Sequence, residues 1–207
     1  MKIIYKKDNI LIRESNSKMF LMIDNLTQMV VSKNEEDNKK LTEVQFVDSV
    51  KDLLPNSKVL NIGLGAGYTA KRVLDFNIKK LDIVEIYSTV VDSLKYFPTK
   101  DILDNDKCNI YVQDGFSYLK EYEDKYDIII IDVCQPKLEV SKSIFTQEFF
   151  QIIKNKLSSN GVCLLWFYNI KNKKYRLYSE EILNYIKIFN KYEFKIINPD
   201  SYFIMKN

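Results

Sequence analysis

The stretch Leu60-Asn61-Ile62-Gly63-Leu64-Gly65-Ala66-Gly67-Tyr68-Thr69 decides the fold. An apolar run ends in three glycines at alternate positions, and a helical pattern over 68–76 follows. Glycine lets the backbone turn sharply and lets a ligand approach the main chain closely. The start of the next helix offers N–H groups that have no partner within the helix. A tight strand-to-helix turn alone would use the same glycines, so the meaning of the loop depends on its surroundings. Its Gly-x-Gly-x-Gly spacing differs from the Gly-x-Gly-x-x-Gly fingerprint of dinucleotide binding.

Outward from this loop, strands and helices alternate. Strands are expected at 59–62, 81–86, 109–112, 128–132 and 162–167. Helices are expected at 68–76, 88–97, 116–122, 146–157 (opened by Thr146) and 179–189, with Asn160-Gly161 as a turn. Such alternation implies a Rossmann-like, methyltransferase-type doubly wound α/β sheet, mostly parallel, with helices on both faces. The pair 194–197 and 202–205, joined by Asn198-Pro199-Asp200, reads as a hairpin that adds an antiparallel strand at the edge. Before the loop, 41–54 has helical spacing, with Leu41, Val44, Val47, Val50 and Leu54 near one face. Strands at 10–14, 19–23 and 27–31 flank the turn signals Ser15-Asn16-Ser17 and Asp24-Asn25. The expected organisation is a small N-terminal antiparallel β-domain over 1–40 and a Rossmann-like nucleoside-binding catalytic domain over 41–207.

Three acidic positions give the loop its chemical meaning. Glu85 ends the strand after the loop, where an ionised carboxylate has two oxygens to accept both ribose hydroxyls. Asp114, in Gln113-Asp114-Gly115, follows the third core strand and can accept from an adenine amino group. Asp132 ends the buried run Ile128-Ile129-Ile130-Ile131, where a carboxylate can orient an amine and take its proton. Strand ends on this side of an open α/β sheet line the ligand crevice. The set Gly63, Gly65, Gly67, Glu85, Asp114 and Asp132 is therefore read as one site for an adenosyl cofactor. Asp127, at the other end of its strand, reads as structural. Trp166 reads as core, Cys134 as a packing residue, and Tyr87 as either a stacking ring or a core residue.

The bulk numbers bound the alternatives. The chain has 207 residues, a hydrophobic fraction of 46% and a charged fraction of 29%, which suit a globular protein with a real core. Net charge is +3, from 31 basic and 28 acidic residues, too balanced for a nucleic-acid footprint. The basic run 171–174 reads as a solvated loop. Histidine is absent, which excludes histidine catalysis and histidine-ligated metals. Cys108, Cys134 and Cys163 form neither a disulfide framework nor a zinc pattern. No metal, membrane or nucleic-acid partner is expected. The N-terminal lysines lack a following apolar segment, so the expected setting is cytoplasmic.

Several segments together resemble the polyamine aminopropyltransferases, the spermidine synthase family. Ile23-Asp24-Asn25-Leu26-Thr27-Gln28 is similar to the family's LDG-x-x-Q segment. Residues 125–136 resemble its YDVIIxDxxDP, and Ile144-Phe145-Thr146-Gln147-Glu148-Phe149-Phe150 resembles LFTxEFY. The resemblance spans nearly the whole chain, although the chain is shorter than usual for that family. It implies nucleoside binding by Gln28, Glu85 and Asp114, and makes Asp132 the catalytic aspartate. It implies transfer of an aminopropyl group from S-adenosylmethionine or its decarboxylated form to a small-molecule amine, and a homodimer. The departures fall on the acceptor and donor-tail side. Ala66 stands where the family loop has an aspartate, so a donor carboxylate is no longer repelled there. Gln135 replaces the second aspartate of the catalytic loop, and Leu41-Thr42-Glu43 stands for YHE or YQE, which makes Gln135 and Thr42 the altered substrate positions. A methyltransferase on the same scaffold, a non-catalytic nucleoside-binding member and, least, a nicotinamide-dependent oxidoreductase remain as alternatives.

Overall fold

A computed structural model describes residues 1–133, 142–168, 176–197 and 200–207. Four N-terminal strands, β1 (Lys2–Lys7), β2 (Ile10–Glu14), β3 (Lys18–Ile23) and β4 (Leu26–Ser32), form an antiparallel sheet in chain order. Asp24 and Asn25 both have positive φ, 51° and 63°, and join β3 to β4 as a two-residue hairpin loop. That geometry matches the right-handed twist of paired strands. The sequence pattern predicts three of these strands and not β1. The strand is an edge, exposed or half-buried along its whole length, so it lacks the alternation that marks a half-buried strand. Its hairpin signal was present in Asp8-Asn9, the same dipeptide type as Asp24-Asn25, with Asp8 at φ 50°.

A short helix α1 (Glu35–Asn38) leads to α2 (Thr42–Asp48). The helix expected over 41–54 is interrupted. Ser49 donates its hydroxyl back to the Phe46 carbonyl at 2.7 Å, and Val50 leaves helical geometry at φ −124°. A single 3-10 turn, Lys51–Leu53, completes the segment. Serine side chains that satisfy a nearby carbonyl compete with the helix in this way.

The main sheet uses β5 (Lys58–Ile62), β6 (Lys80–Glu85), β7 (Cys108–Val112), β8 (Tyr126–Ile131), β9 (Leu157–Tyr168), β10 (Lys191–Ile197) and β11 (Asp200–Lys206), in the spatial order β10-β11-β9-β8-β5-β6-β7. β9, β8, β5, β6 and β7 run parallel, and β11 is antiparallel to both β9 and β10. The C-terminal hairpin thus exists as read, with its inverted strand one position in from the edge. Helices α3 (Tyr68–Leu74), α4 (Ser88–Ser93), α5 (Gly115–Glu121), α6 (Gln147–Lys156) and α7 (Arg176–Ile186) connect the strands. Thr146 caps α6, its hydroxyl accepting from Phe149 N at 3.2 Å. The Asn160-Gly161 turn is absorbed into β9 as a register break. Leu157 pairs with Tyr126 but Val162 with Ile128, so the intervening residues form an excursion from the ladder.

Parallel strands covered on both faces read as continuous apolar runs. Ile128, Ile129, Ile130 and Ile131 are fully buried, alternately in the two cores on either face of the sheet. The core on one face continues into the N-terminal sheet through Ile10, Ile12, Leu21 and Val31. Lys7 pairs with Asp92 of α4 at 2.8 Å across the same junction. Among the described residues no helix is long and apolar enough to cross a membrane.

The amino-terminal ends of the central strands carry a polar knot rather than a site. Asp82, fully buried, accepts from Tyr126 Oη at 2.9 Å and Asn109 Nδ2 at 2.9 Å, and pairs with Lys80 at 3.0 Å. Tyr118 and Tyr126 share a hydrogen bond at 2.8 Å. Tyr126→Phe removes a donor from a buried carboxylate and leaves the Tyr118 hydroxyl short of a partner. The expected loss is about 2 kcal/mol, measured by urea denaturation.

Candidate functional site

The chain steps from β5 outward to β6 and β7, then returns to place β8 on the opposite side of β5. The carboxyl ends of β5 and β8 therefore form the topological switch point, where open α/β sheets hold ligands. The glycine loop leaves β5 there. Gly63, Gly65 and Gly67 all have positive φ, at 94°, 52° and 78°. A Cβ on Gly63 would lie 2.0 Å from the Asp132 carbonyl oxygen, whereas one on Gly65 would meet no atom within 4 Å. Gly63 thus lets two strand ends cross, and Gly65 presents bare backbone to the cleft. Gly67 caps α3 in the left-handed conformation and donates to the Leu64 carbonyl at 2.9 Å.

Glu85, only 8% exposed, closes β6 against this loop. Its carboxylate accepts from Leu64 N at 3.0 Å and Tyr87 N at 3.0 Å. Burial pushes its pKa up, while the amides of Tyr87, Leu64, Ile86 and Gly65 pull it back. Glu85 therefore braces the loop and lines the cleft.

Asp114 caps α5: one oxygen accepts from Ser117 N at 2.9 Å and Ser117 Oγ at 3.1 Å, and the other from Ser143 Oγ at 3.4 Å. It also lines the cleft. Asp132 donates its backbone N–H to the Ile62 carbonyl at 2.9 Å, and its Oδ2 accepts from Thr69 Oγ1 at 2.6 Å. Asp127 accepts from Lys58 N and Ser158 Oγ, at 2.9 and 3.0 Å, which ties β5 and β9 at the far end of β8.

One cleft gathers these groups. Gly63, Gly65, Glu85, Asp114 and Asp132 line it, and so does Gln28, carried in by β4 of the N-terminal sheet. Thr42 does not line it. That residue is buried at the start of α2, and its neighbour Glu43 faces the cleft instead. Gly67 and Ala66 are also absent from the lining; Ala66 is fully buried, and its carbonyl accepts from Thr99 Oγ1 at 2.6 Å. Gln135 and Cys134 fall outside the described residues. Trp166, read as core, is half-buried and lines the cleft from β9. Thr69, Ile86 and Val133 also belong to the site and were not singled out in the sequence. Thr69 stood in the decisive stretch, but nothing local to it announces a partner 63 residues away.

A family model described as the spermine/spermidine synthase domain matches residues 35–205. The chain belongs to the spermine/spermidine synthase family. The resemblance read from the sequence segments is thereby borne out. A polyamine aminopropyltransferase of Alkaliphilus metalliredigens is 39% identical over 112 residues, covering 52% of this chain and 39% of that protein. One of Methanocaldococcus jannaschii is 31% identical over 153 residues, covering 72% of this chain and 50% of that protein. The chain thus spans half or less of the curated relatives it matches. A spermidine synthase solved in complex with the transition-state analogue AdoDATO superposes with a TM-score of 0.81 at 22% identity, over 99% of this chain and 73% of that one. The spermidine synthase from Thermotoga maritima gives 0.79 at 22%, over 99% and 72%. The fold shared with these synthases includes the N-terminal sheet, which precedes the family-model match and carries Gln28.

Proposed function

We propose that this family member transfers an aminopropyl group from decarboxylated S-adenosylmethionine to a small amine. The observation that carries the reading is the charge of the cleft. Its described lining holds four carboxylates, Glu43, Glu85, Asp114 and Asp132, and no lysine or arginine. A sulfonium donor and an ammonium acceptor are both cations and gain from such a cleft. A donor that kept its carboxylate would meet like charge there, and that repulsion does not depend on Ala66, which lies off the lining.

In this reading Glu85 accepts from the ribose hydroxyls and Asp114 from the adenine amino group. Gln28 closes over the nucleoside from β4, and the backbone at Gly63 and Gly65 lies against it. The acceptor, drawn in through an ammonium group, presents its attacking amine uncharged beside Asp132, with Glu43 on its flank; Gln135 and Thr42 remain acceptor-side positions by resemblance. The amine lone pair attacks the carbon next to the sulfonium, and the C–S bond breaks with its electron pair passing to sulfur. The products are the aminopropylated amine and the neutral thioether methylthioadenosine. The proton shed by the new ammonium passes to Asp132. Holding amine and carbon in line supplies most of the rate advantage open to this chemistry.

Mass spectrometry of products from a screen of both donors against a set of amines tests the assignment directly. A methylated product from intact S-adenosylmethionine would replace it with methyl transfer. Saturating methylthioadenosine, at about 100 to 1,000 times its Kd, is expected to stabilise the fold by about 3–4 kcal/mol, read as a rise in Tm. No rise with any adenosyl thioether or sulfonium would remove the nucleoside reading.

A further inference from the structure

Thr69 is 1% exposed and sits in the first turn of α3, directly after the glycine loop. Its hydroxyl lies 2.6 Å from Asp132 Oδ2, the separation of a charge-assisted O–H···O⁻ bond. Two further restraints act on Asp132 from the other side. Its N–H is bonded to the Ile62 carbonyl, and its own carbonyl fills the space that a side chain on Gly63 would need. The main chain of Asp132 is thus set by β5, while its carboxylate is set by α3. Threonine is suited to this, because two heavy atoms on Cβ restrict χ1. Burial leaves little water to compete for the hydroxyl.

We propose that Thr69 is the positioning residue for Asp132. Its hydroxyl fixes the carboxylate rotamer toward the acceptor end of the cleft and favours the ionised form that takes a proton. The inference rests on the aminopropyl-transfer reading for its kinetic meaning and on the hydrogen bond alone for its local meaning. Glu43 from α2, Glu85 from β6 and Asp114 before α5 are the other charged groups facing the cleft among the described residues. All three are acidic and disfavour charge on Asp132, and the hydrogen bond from Thr69 acts against them.

Thr69→Val keeps the shape and removes the hydroxyl, and Thr69→Ser keeps the hydroxyl. In Thr69→Val, kcat is expected to fall about 10- to 100-fold, a fraction of the usual general-base contribution, with the donor KM within about two-fold of the parent. Thr69→Ser is expected to recover most of that loss. A readout independent of turnover is the carboxyl 13C titration of Asp132, assigned by its disappearance in Asp132→Asn. Its midpoint is expected to rise by about one pH unit in Thr69→Val and to stay near the parent value in Thr69→Ser. An unmoved midpoint overturns the proposal, as does a serine variant that behaves like valine. If the parent protein transfers no aminopropyl group to any amine, the function reading falls while the titration still decides the role of Thr69. Thr69→Ala replaces the valine variant if that one does not fold.

Discussion

Gly63→Ala is expected to cost the fold about 2–5 kcal/mol. Two penalties add at this position. The backbone stands at φ 94°, where a Cβ crowds the following carbonyl, at about 1–2 kcal/mol. The new methyl would also lie 2.0 Å from the Asp132 carbonyl oxygen. That atom belongs to the main chain, so no rotamer change relieves the clash; forced shifts of this kind cost about 1–3 kcal/mol. Against a typical total of about 5–15 kcal/mol, the variant should unfold at markedly lower urea. Any folded fraction should bind nucleoside poorly, because relief requires β5 and β8 to part at the switch point. Gly65→Ala is the contrast. It shares the positive φ, at 52°, but its methyl enters open space. It should lose only about 1–2 kcal/mol yet weaken nucleoside binding, since Gly65 lines the cleft. Equal stability losses in the two variants would show that the crossing at Gly63 relaxes more easily than its geometry implies.

The difference between those two glycines marks where sequence reading stops. The alternating glycines, the buried apolar runs and the acidic residue ending β6 are local patterns, and each was legible because a parallel strand buried on both faces leaves a continuous apolar signature. What Gly63 is for depends on β8 lying next to β5, a neighbour relation between residues 69 positions apart. The spacing cannot display it. The same limit applies to Thr69 and Trp166. Trp166 looked like core because β9 is apolar throughout, yet it reaches the cleft because β9 lies beside β8 near the switch point. β1 escapes notice for the opposite reason: an edge strand with no fully buried residue prints no clear burial pattern on the sequence.

The structure also redirects the weight placed on substitutions. Ala66 was the residue that set this chain apart from the family's aspartate-bearing loop. Its side chain is buried in the core and its carbonyl accepts from Thr99. The charge of the cleft instead comes from four separate elements: α2, β6, the cap of α5 and the end of β8. A loop motif compared letter by letter records what one segment lacks, whereas the potential in a cleft is the sum over every wall.

Asp132→Asn should separate binding from chemistry. The amide has the size of the carboxylate, and its oxygen can still accept from Thr69 Oγ1, which lies 2.6 Å from Oδ2. The main-chain bond to Ile62 is untouched. Fold and nucleoside cleft should therefore survive, with Tm within a few degrees of the parent and the methylthioadenosine Kd within about three-fold. An asparagine cannot take up the proton that the amine sheds as the C–S bond breaks. Loss of a positioned general base lowers rates by about 10²–10⁴-fold, so kcat should fall by that factor while the donor KM stays put. Since Glu43 also faces the cleft, it is the group that could substitute. Its isosteric variant Glu43→Gln should instead raise the acceptor KM, through loss of attraction for the amine. If Asp132→Asn retains parental kcat and Glu43→Gln abolishes it, the proton leaves through α2 rather than β8. The assignment of the acid–base role would then move to Glu43.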